Sequence, residues 1–331
     1  MSMFYPKISK AQIRGLLICL MVALAASFLS AQYGGPVMLF ALLLGMSLNF
    51  LSKDKNCSPG VELAAGSVLK FGVSLLGVRI LTSDMINMGW ITVVVVIAGI
   101  FTTIVFGSIL ARFLGLDKEL GLLSGGAVAI CGISAAMAIS SVMPKNKEME
   151  QHTIVTVVMV AAFGSMAMIF YPIFVSYIGL DTVQAGLFLG GSIHDVSHVV
   201  GAGYSMSDEI GNSAMIIKML RVALLLPVVG CFYLYYKRDH SQSQSTVKVP
   251  VPWFLIGFVL IVIINNLGLI PEFGVGLMNK ISRWCLVIAI VGLGMKTSFQ
   301  GLLANGWQPI VLVLGESLFL SALVMAWVLM S

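Results

Sequence analysis

Apolar runs separated by short polar loops cover almost the whole chain. About eleven such segments can be counted, at residues 14–31, 36–52, 60–80, 88–111, 118–142, 152–177, 183–205, 208–235, 252–270, 276–295 and 306–330. A hydrocarbon core of about 30 Å needs about 20 apolar residues per helix, and most of the segments approach that length. The pattern predicts an all-α polytopic membrane protein with no room for a soluble catalytic domain.

Two of these segments contain paired glycines and are predicted to be interrupted. The segment 118–142 contains Gly125-Gly126, and the segment 183–205 contains Gly190-Gly191. Glycine weakens a helix because it loses the most backbone freedom on ordering. A broken membrane helix exposes backbone amides that a ligand, water or packed protein must satisfy, and such segments point to the binding site of a transporter. We therefore expect two interrupted or re-entrant helices that form a core domain.

The loop charges predict a topology with the N-terminus in the cytoplasm, because this orientation places most basic loop residues inside. The chain then divides into an N-terminal membrane region over 1–235 with both interrupted segments, a cytoplasmic connector over 236–249, and C-terminal membrane helices over 250–331. The loop 143–151 carries lysines that a fully crossing segment 118–142 would place outside. A re-entrant segment removes this conflict.

Two helix pairs share one spacing of glycine, basic and tryptophan residues. Gly77-Val78-Arg79 is followed by Gly89-Trp90, and Gly294-Met295-Lys296 is followed by Gly306-Trp307 at the same interval. The pairs lie an odd number of segments apart, so they have opposite orientation, which is the pattern of inverted repeats in secondary transporters. The C-terminal helices therefore contain a repeat of 73–96, unless the match arises by chance from similar apolar composition.

A second similarity links the two glycine-rich segments. Gly115-Leu116-Asp117 precedes the first segment, and Gly179-Leu180-Asp181 precedes the second. This similarity fits an inverted repeat if both segments are re-entrant, and it does not fit if both span the membrane fully.

Composition agrees with a membrane protein and excludes several functions. The 331 residues are 59% hydrophobic and 10% charged, with a mean hydropathy of +1.01, which no ordinary soluble domain shows. The net charge of +5 comes from short loops beside the lipid bilayer and does not indicate a nucleic-acid partner. The five cysteines have no metal-like spacing, and no P-loop suggests the use of ATP, so neither a metal nor a cofactor is predicted.

The second glycine-rich segment carries three titratable residues, His194, Asp195 and His198. On a helix the two histidines are four residues apart and share a face. A metal pair would need a third ligand, which is not close in sequence, and a second interpretation is that these residues bond neighbouring helices. We adopt a third, in which the histidines bind the oxygens of an anion, gain charge below about pH 6.5, and leave Asp195 as counter-ion or proton carrier.

A basic pair lies at mid-depth in the segment 208–235. Lys218 and Arg221 are one turn apart on one face. Snorkelling to the membrane surface is one interpretation. The other is that two cations facing a core imply an anion, an acidic partner or both, since the guanidinium fork suits oxyanions. Glu316 in the last segment should in turn need a basic partner.

The first glycine-rich segment is predicted to supply backbone donors to a substrate. A helix break at Cys131, Gly132, Ile133 and Ser134 could present free N–H groups at the N-terminus of a half-helix, an arrangement that binds anions. Stretches of glycine, serine and alanine also permit close helix–helix crossings, which is the alternative interpretation. Both can hold in one structure.

Four motifs are specific when taken together. They are Ile130-Cys131-Gly132-Ile133-Ser134-Ala135, Gly190-Gly191-Ser192-Ile193-His194-Asp195-Val196, the Lys218-x-x-Arg221 pair before Pro227, and Leu76-Gly77-Val78-Arg79. With them, the chain resembles the sulfate exporter family of bacterial inner-membrane proteins from about residue 60 to 230 and again near its end. The resemblance implies a fold like those of bile-acid symporters and cation/proton antiporters. In such folds a core domain surrounds two crossed, interrupted helices, and a separate panel or dimerisation domain is compatible with a homodimer. The pair Ser197-His198 departs from the family pattern, which puts pH dependence or substrate preference in doubt.

The combined prediction is a secondary transporter, acting as an exporter, for a small oxyanion such as sulfate or a small sulfonate. Its expected location is the bacterial inner membrane, and its coupling ion would be a proton or sodium. A cation/proton antiporter that uses Asp195 is the alternative. An intramembrane hydrolase built from His194, Asp195 and Ser134 is a more distant one, because the motifs of known hydrolases are missing. The sequence therefore does not indicate an enzyme.

Overall fold

The computed structural model describes residues 9–80, 89–144, 146–237, 253–297 and 306–330. Within these ranges the regular secondary structure is helical, which confirms the all-α prediction for this part of the chain. In chain order the helices are α1 (Lys10–Tyr33), α2 (Val37–Ser47), α3 (Ser58–Arg79), α4 (Gly89–Phe113), α5 (Lys118–Ala129), α6 (Ile133–Ser140), α7 (Lys147–Ile178), α8 (Thr182–Ser192), α9 (Val196–Met206), α10 (Asp208–Ala223), α11 (Leu225–Lys237), α12 (Trp253–Asn266), α13 (Glu272–Lys296) and α14 (Trp307–Met330).

Seven helical stretches of the described residues are long and apolar enough to cross a membrane. They are Lys10–Tyr33, Ser58–Arg79, Gly89–Phe113, Lys147–Ile178, Asp208–Tyr236, Glu272–Lys296 and Trp307–Met330. The shorter apolar helices α2 and α12 accompany them. These lengths and hydropathies are those of a polytopic membrane protein, while the number of eleven membrane segments stays a prediction.

The repeated Gly-Leu-Asp triplets at 115–117 and 179–181 form the same turn between helices. In each triplet the glycine has a positive φ, 70° and 76°, and the leucine N–H donates to the carbonyl five residues earlier. This is the left-handed helix end that glycine favours. The aspartate that follows is the N-cap of the next helix, and Asp181 accepts a hydrogen bond from the Gln184 amide at 2.9 Å. The sequence similarity therefore marks helix stop and start signals ahead of both glycine-rich segments.

The chain forms two compact units, and each is built from stretches that are distant in sequence. The first unit takes residues 1–79 and 256–298, and the second takes 80–255 and 299–331. The division predicted from the sequence, by contrast, runs in chain order. It stays a prediction about topology, and most of its connector, 236–249, lies outside the described residues.

In the first unit, glycines near the ends of α3 and α13 permit close helix crossings. A Cβ added to Gly294 of α13 would lie 3.0 Å from the Cα of Gly45 on α2. A Cβ added to Gly77 of α3 would lie 3.2 Å from the backbone nitrogen of Val262 on α12. The other close neighbours follow in the same order on α2 and α12, namely Leu42 and Met46 for Gly294, and Phe258 and Ile261 for Gly77. The two crossings are thus made at matching positions.

The ends of the same two helices are also held in the same way. The Asn49 side-chain amide donates to the carbonyl oxygens of Met295 at 2.6 Å and Thr297 at 2.9 Å. The Asn265 side-chain amide donates to the carbonyl oxygen of Val78 at 2.9 Å. Each asparagine therefore donates to carbonyl oxygens at a helix C-terminus, which receive no hydrogen bond from the amides of their own helix.

Gly294→Ala should destabilise the protein, because the new methyl group would meet the α2 backbone, which cannot move as easily as a flexible side chain. We expect a loss of about 1–3 kcal/mol, the usual range for overpacking a core, measured as a lower thermal unfolding midpoint in detergent. Gly276→Ala is the matched control on α13, since nothing lies within 4 Å of its added Cβ. Equal unfolding midpoints for the two variants would show that the crossing is not tight.

Candidate functional site

The first glycine-rich segment is broken between α5 and α6. Helix α5 ends at Ala129, and α6 begins at Ile133. Between them Gly132 has φ 66° and ψ −121°, a conformation that residues with a Cβ rarely adopt. The Gly132 amide donates to the carbonyl oxygen of Ala127 at 2.8 Å, which closes the turn. Glycine at this position therefore lets the backbone leave one helix and start the next within three residues.

The second glycine-rich segment is broken between α8 and α9. Ile193 is extended, with φ −71° and ψ 139°, and the extended Asp195 is the N-cap of α9. The Asp195 Oδ1 accepts hydrogen bonds from the Ser197 backbone amide at 2.9 Å and from the Ser197 hydroxyl at 2.6 Å. The carboxylate thus satisfies the start of α9 in the manner of an ordinary N-cap.

The two breaks meet each other inside the second unit. A Cβ added to Gly132 in the first break would lie 3.5 Å from both the Cβ and the Oδ2 of Asp195 in the second. The same added atom would lie 3.1 Å from a methyl group of Val160 on α7. The second break therefore packs directly against Gly132, where the tightest neighbour of an added Cβ would be Val160 and not Asp195.

Arg221 of α10 binds the C-terminal ends of both half-helices that precede the breaks. Its side chain is 2% exposed. Its guanidinium donates to carbonyl oxygens of α5, at 2.9 Å to Val128 and at 2.7 and 3.0 Å to Ala129. It also donates to α8 and the residue after it, at 3.0 Å to Gly190, 2.7 Å to Gly191 and 3.0 Å to Ile193. The five N–H groups of arginine are all occupied by backbone oxygens.

Lys218 joins the same two breaks one turn earlier on α10. Its ammonium group is fully buried and donates to the carbonyl oxygens of Ile130 at 2.7 Å, Ile193 at 2.9 Å and His194. These three bonds use the three N–H donors of lysine. Both cations thus lie where the negative ends of two helix dipoles converge, which is where positive charge is favoured.

This geometry corrects the interpretation of the basic pair. Snorkelling is wrong, because both side chains are buried inside the second unit. Mid-depth burial agrees with the other interpretation, but the N–H groups of Lys218 and Arg221 bind backbone oxygens and leave no donor for a substrate in this conformation. Direct anion binding by the pair stays a prediction that the geometry disfavours.

The two histidines are buried and each pairs with a serine of a neighbouring helix. His194 Nε2 lies 2.9 Å from the Ser317 hydroxyl on α14, and His198 Nε2 lies 3.1 Å from the Ser165 hydroxyl on α7. Both serines also donate to a carbonyl one turn earlier on their own helix. A serine has one proton to give, so each histidine is assigned as the Nε2–H donor. These contacts correspond to the interpretation in which the histidines bond neighbouring helices.

A metal site receives no support from the arrangement around these histidines. No group of three or more histidine, cysteine, aspartate and glutamate side chains suited to a metal ion lies within the described ranges. Within the part of the chain that the structure describes, the buried Nδ1 atoms of His194 and His198 have no hydrogen-bond partner.

The N-terminus of α6 differs from that of α9, because no side chain caps it. Gly132 is the N-cap of α6 and makes no side-chain hydrogen bond. The Ile133 side chain is half-buried and the Ser134 side chain is exposed. Cys131 is buried. The first amides of α6 therefore remain the least satisfied backbone donors of the two breaks, since the first N–H groups of any helix have no acceptor within it.

The sequence interpretation missed the partners that come from other helices. Ser317 and Ser165 gave no signal on their own, because isolated serines are common in apolar helices. The prediction of a basic partner for Glu316 is wrong for the described residues. The Glu316 carboxyl instead accepts a hydrogen bond from the Ser124 hydroxyl of α5 at 2.7 Å, and its other oxygen has no partner in the described structure. The adjacent polar pair of Glu316 and Ser317 in an apolar segment was the one available hint.

Arg221→Lys should destabilise the protein, because lysine has at most three donors and would leave at least two buried bonds unmade. An unsatisfied buried group costs about 1–3 kcal/mol, so we expect a loss of about 2 kcal/mol or more in the free energy of unfolding. The measurement is thermal unfolding in detergent, with Arg112→Lys as an exposed control at the end of α4. A wild-type unfolding midpoint for Arg221→Lys would contradict the described role.

Comparison with known proteins relates this chain to bacterial membrane proteins. A family model described as conserved hypothetical protein 698 matches residues 14–313. A UPF0324 membrane protein of Chlorobaculum tepidum is 44% identical over 97% of this chain and 92% of its own length, and one of Rhizobium meliloti is 45% identical over 94% and 91%. The UPF0324 membrane protein TauZ of Paracoccus denitrificans is 41% identical over 95% and 94%. No solved structure matches the chain.

The match extends over the whole site. Both helix breaks and the basic pair of α10 fall within residues 14–313. The predicted membership in a family of bacterial membrane proteins is confirmed. The chain is a multi-pass membrane protein and belongs to the family described as conserved hypothetical protein 698, to whose UPF0324 membrane proteins it is similar over nearly its full length.

Proposed function

We propose that this protein is a secondary transporter that exports a small oxyanion, such as sulfate or a small sulfonate, across the bacterial inner membrane, with its N-terminus in the cytoplasm. The observation that carries the proposal is that two helix breaks meet beside buried cations inside a multi-pass membrane protein. Broken helices of this kind are typical of substrate sites in secondary transporters. The second unit would be the core domain, and the first unit would be the panel or dimerisation domain.

The charge balance around the breaks favours an anion. Lys218 and Arg221 contribute two positive charges, and Asp195 contributes one negative charge. The two C-terminal and two N-terminal half-helix ends, each equivalent to about half a charge, cancel one another. One positive charge is therefore uncompensated among these groups. Because uncompensated charge is expensive in a membrane interior, binding of an anion is favoured.

The N-terminus of α6 is the proposed place for the anion. Its amides at Ile133 and Ser134 have no side-chain cap, and the Ser134 hydroxyl is exposed. A helix N-terminus combines free N–H donors with the positive end of the dipole, so it binds oxyanions readily. The basic pair would then act through its field, since its N–H groups are committed to the backbone.

The matching contacts of the first unit support an inverted repeat, which alternating access in such transporters requires. The Gly77 crossing with α12 and the Gly294 crossing with α2 correspond position by position. The asparagine bonds at Val78 and Met295 correspond as well. Both pairs agree with the spacing seen in the sequence, and this agreement supports the proposed repeat.

A cation/proton antiporter remains the second candidate, and one observation favours it. Asp195 is only half-buried, and its Oδ2 faces the first break while Oδ1 caps α9. A carboxylate oxygen at a helix break could take a cation. The two buried cations close by argue against this function, because they repel a positively charged substrate.

Binding of an oxyanion should raise the thermal stability of the detergent-solubilised protein. At a concentration of about 100 times Kd, a ligand that binds only the native state stabilises it by about 2.7 kcal/mol. Thermal unfolding would be followed with sulfate, methanesulfonate and, at matched ionic strength, chloride. Stabilisation by sulfate or the sulfonate beyond chloride supports an oxyanion site, and stabilisation by sodium alone would favour the antiporter.

Ser134→Asp should abolish this stabilisation, because its carboxylate would occupy the first turn of α6 in place of the anion. Acidic residues at this position are themselves favourable, so the variant should fold. Ser134→Ala is the matched control, which keeps the amides and should weaken binding by about threefold to tenfold, the range of one hydrogen bond. An unchanged sulfate response in Ser134→Asp would remove α6 from the site.

A further inference from the structure

A second buried ionisable group lies in the second unit, away from the helix breaks. Glu316 of α14 is fully buried between α4 and α5. A Cβ added to Gly107 of α4 would lie 3.1 Å from the carboxyl carbon of Glu316. The Oε1 atom accepts the Ser124 hydroxyl at 2.7 Å, and Oε2 has no hydrogen-bond partner in the described structure. The carboxyl group is thus enclosed by a glycine of one helix and a serine of another.

No cation of the described residues lies within bonding distance of this carboxyl group. Lys218 and Arg221 are committed to backbone oxygens. Other titratable residues stand on the helices that pack against α14, and none of them bonds to Glu316: Arg112, Lys118, Glu119, Lys147, Glu148, Glu150, His152, Tyr171 and Tyr177. His194, beyond α8, bonds to Ser317 rather than to Glu316. Among the described residues, the hydrogen-bond partner of the carboxyl group is the neutral hydroxyl of Ser124.

An ionised carboxylate in this place would be far less stable than the neutral acid. Burial of a charge without a partner is one of the most expensive arrangements in a membrane interior, and such a group takes up a proton instead. The Ser124 hydroxyl has one proton, and its 2.7 Å contact with Oε1 is much shorter than its 3.4 Å contact with the Gly121 carbonyl oxygen. Oε1 is therefore assigned as the acceptor, which leaves the acid proton on Oε2.

We propose that Glu316 is a proton-binding site that holds its proton in this conformation and releases it from Oε2 to water when α14 or α5 moves. The bond that breaks is O–H, and the product is a carboxylate that water or a cation then stabilises. The inference that a proton is the coupling ion rests on the proposed function. The inference that Glu316 is protonated in this conformation does not.

The position of Glu316 suggests how proton release would be linked to the helix breaks. Ser317, the next residue of α14, bonds to His194 in the second break, and Ser124 belongs to the half-helix α5 that leads into the first break. The carboxyl group of Glu316 therefore bonds directly to the first interrupted segment, and it is connected to the second through the next residue of α14. A movement of either segment that opens the carboxyl to water would also change its protonation.

Infrared difference spectroscopy of the full chain in detergent at pH 7 tests the protonation directly. An ordinary glutamate, with a pKa of about 4.3, is ionised at this pH. We expect the wild type to show a carboxylic-acid carbonyl band that is absent from Glu316→Gln. The exposed control Glu272→Gln should keep the band. Identical wild-type and Glu316→Gln spectra in this region would overturn the proposal.

Ser124→Ala gives a second measurement if Glu316→Gln does not fold. Loss of the hydroxyl bond to Oε1 should move the acid band to higher frequency, and a spectrum with no such band or no shift would also overturn the proposal. In proteoliposomes, a proton gradient should drive sulfate accumulation by the wild type and not by Glu316→Gln. Absence of sulfate flux in the wild type would count against the proposed function and leave the infrared result unaffected.

Discussion

The second unit depends on hydrogen bonds from two cations to the backbone oxygens of two broken helices. A helix that ends inside a membrane leaves its last carbonyls without partners, and neither lipid nor a short loop can satisfy them. Arg221 and Lys218 make nine contacts of this kind from a single face of α10. Without these bonds, the carbonyl oxygens at both breaks would lose their side-chain hydrogen-bond partners. The two cations therefore stabilise the breaks.

The same bonds decide what the basic pair can do for a substrate. A cation whose N–H donors are all bonded to the backbone still contributes its charge, but it has no donor left to form a directional hydrogen bond to a substrate. Under the proposed function, recognition of an oxyanion would then depend on other donors, such as the first amides of α6, which no side chain caps. This division between charge from α10 and geometry from α6 differs from a site in which arginine grips the substrate with its planar fork.

Sequence reasoning predicted the helical class and an interruption in each glycine-rich segment, because apolar length and helix-breaking residues are local signals. The paired glycines that suggested the interruptions lie within α5 and α8, and the breaks follow those helices. Apolar length predicts a membrane helix. The structure adds that the first break contains Gly132 with φ 66°, a conformation that most other residues rarely adopt. The partners of Lys218 and Arg221 could not be predicted in this way, since every residue carries a carbonyl and the type of residue gives no signal. The contact between Glu316 and Ser124 joins positions far apart in the chain, and the charge of Glu316 wrongly suggested a basic partner.

Because each cation forms hydrogen bonds to both breaks, the two interrupted segments are cross-linked and are expected to move together. Lys218 contacts Ile130 of the first break and Ile193 of the second, and Arg221 holds Ala129 and Gly191 together. Opening one break alone would leave buried donors or acceptors unpaired, at a cost of about 1–3 kcal/mol for each. Movement of the two segments together keeps every bond. Under the proposed function, alternating access would displace the paired segments together and carry the proposed anion site at α6 with them.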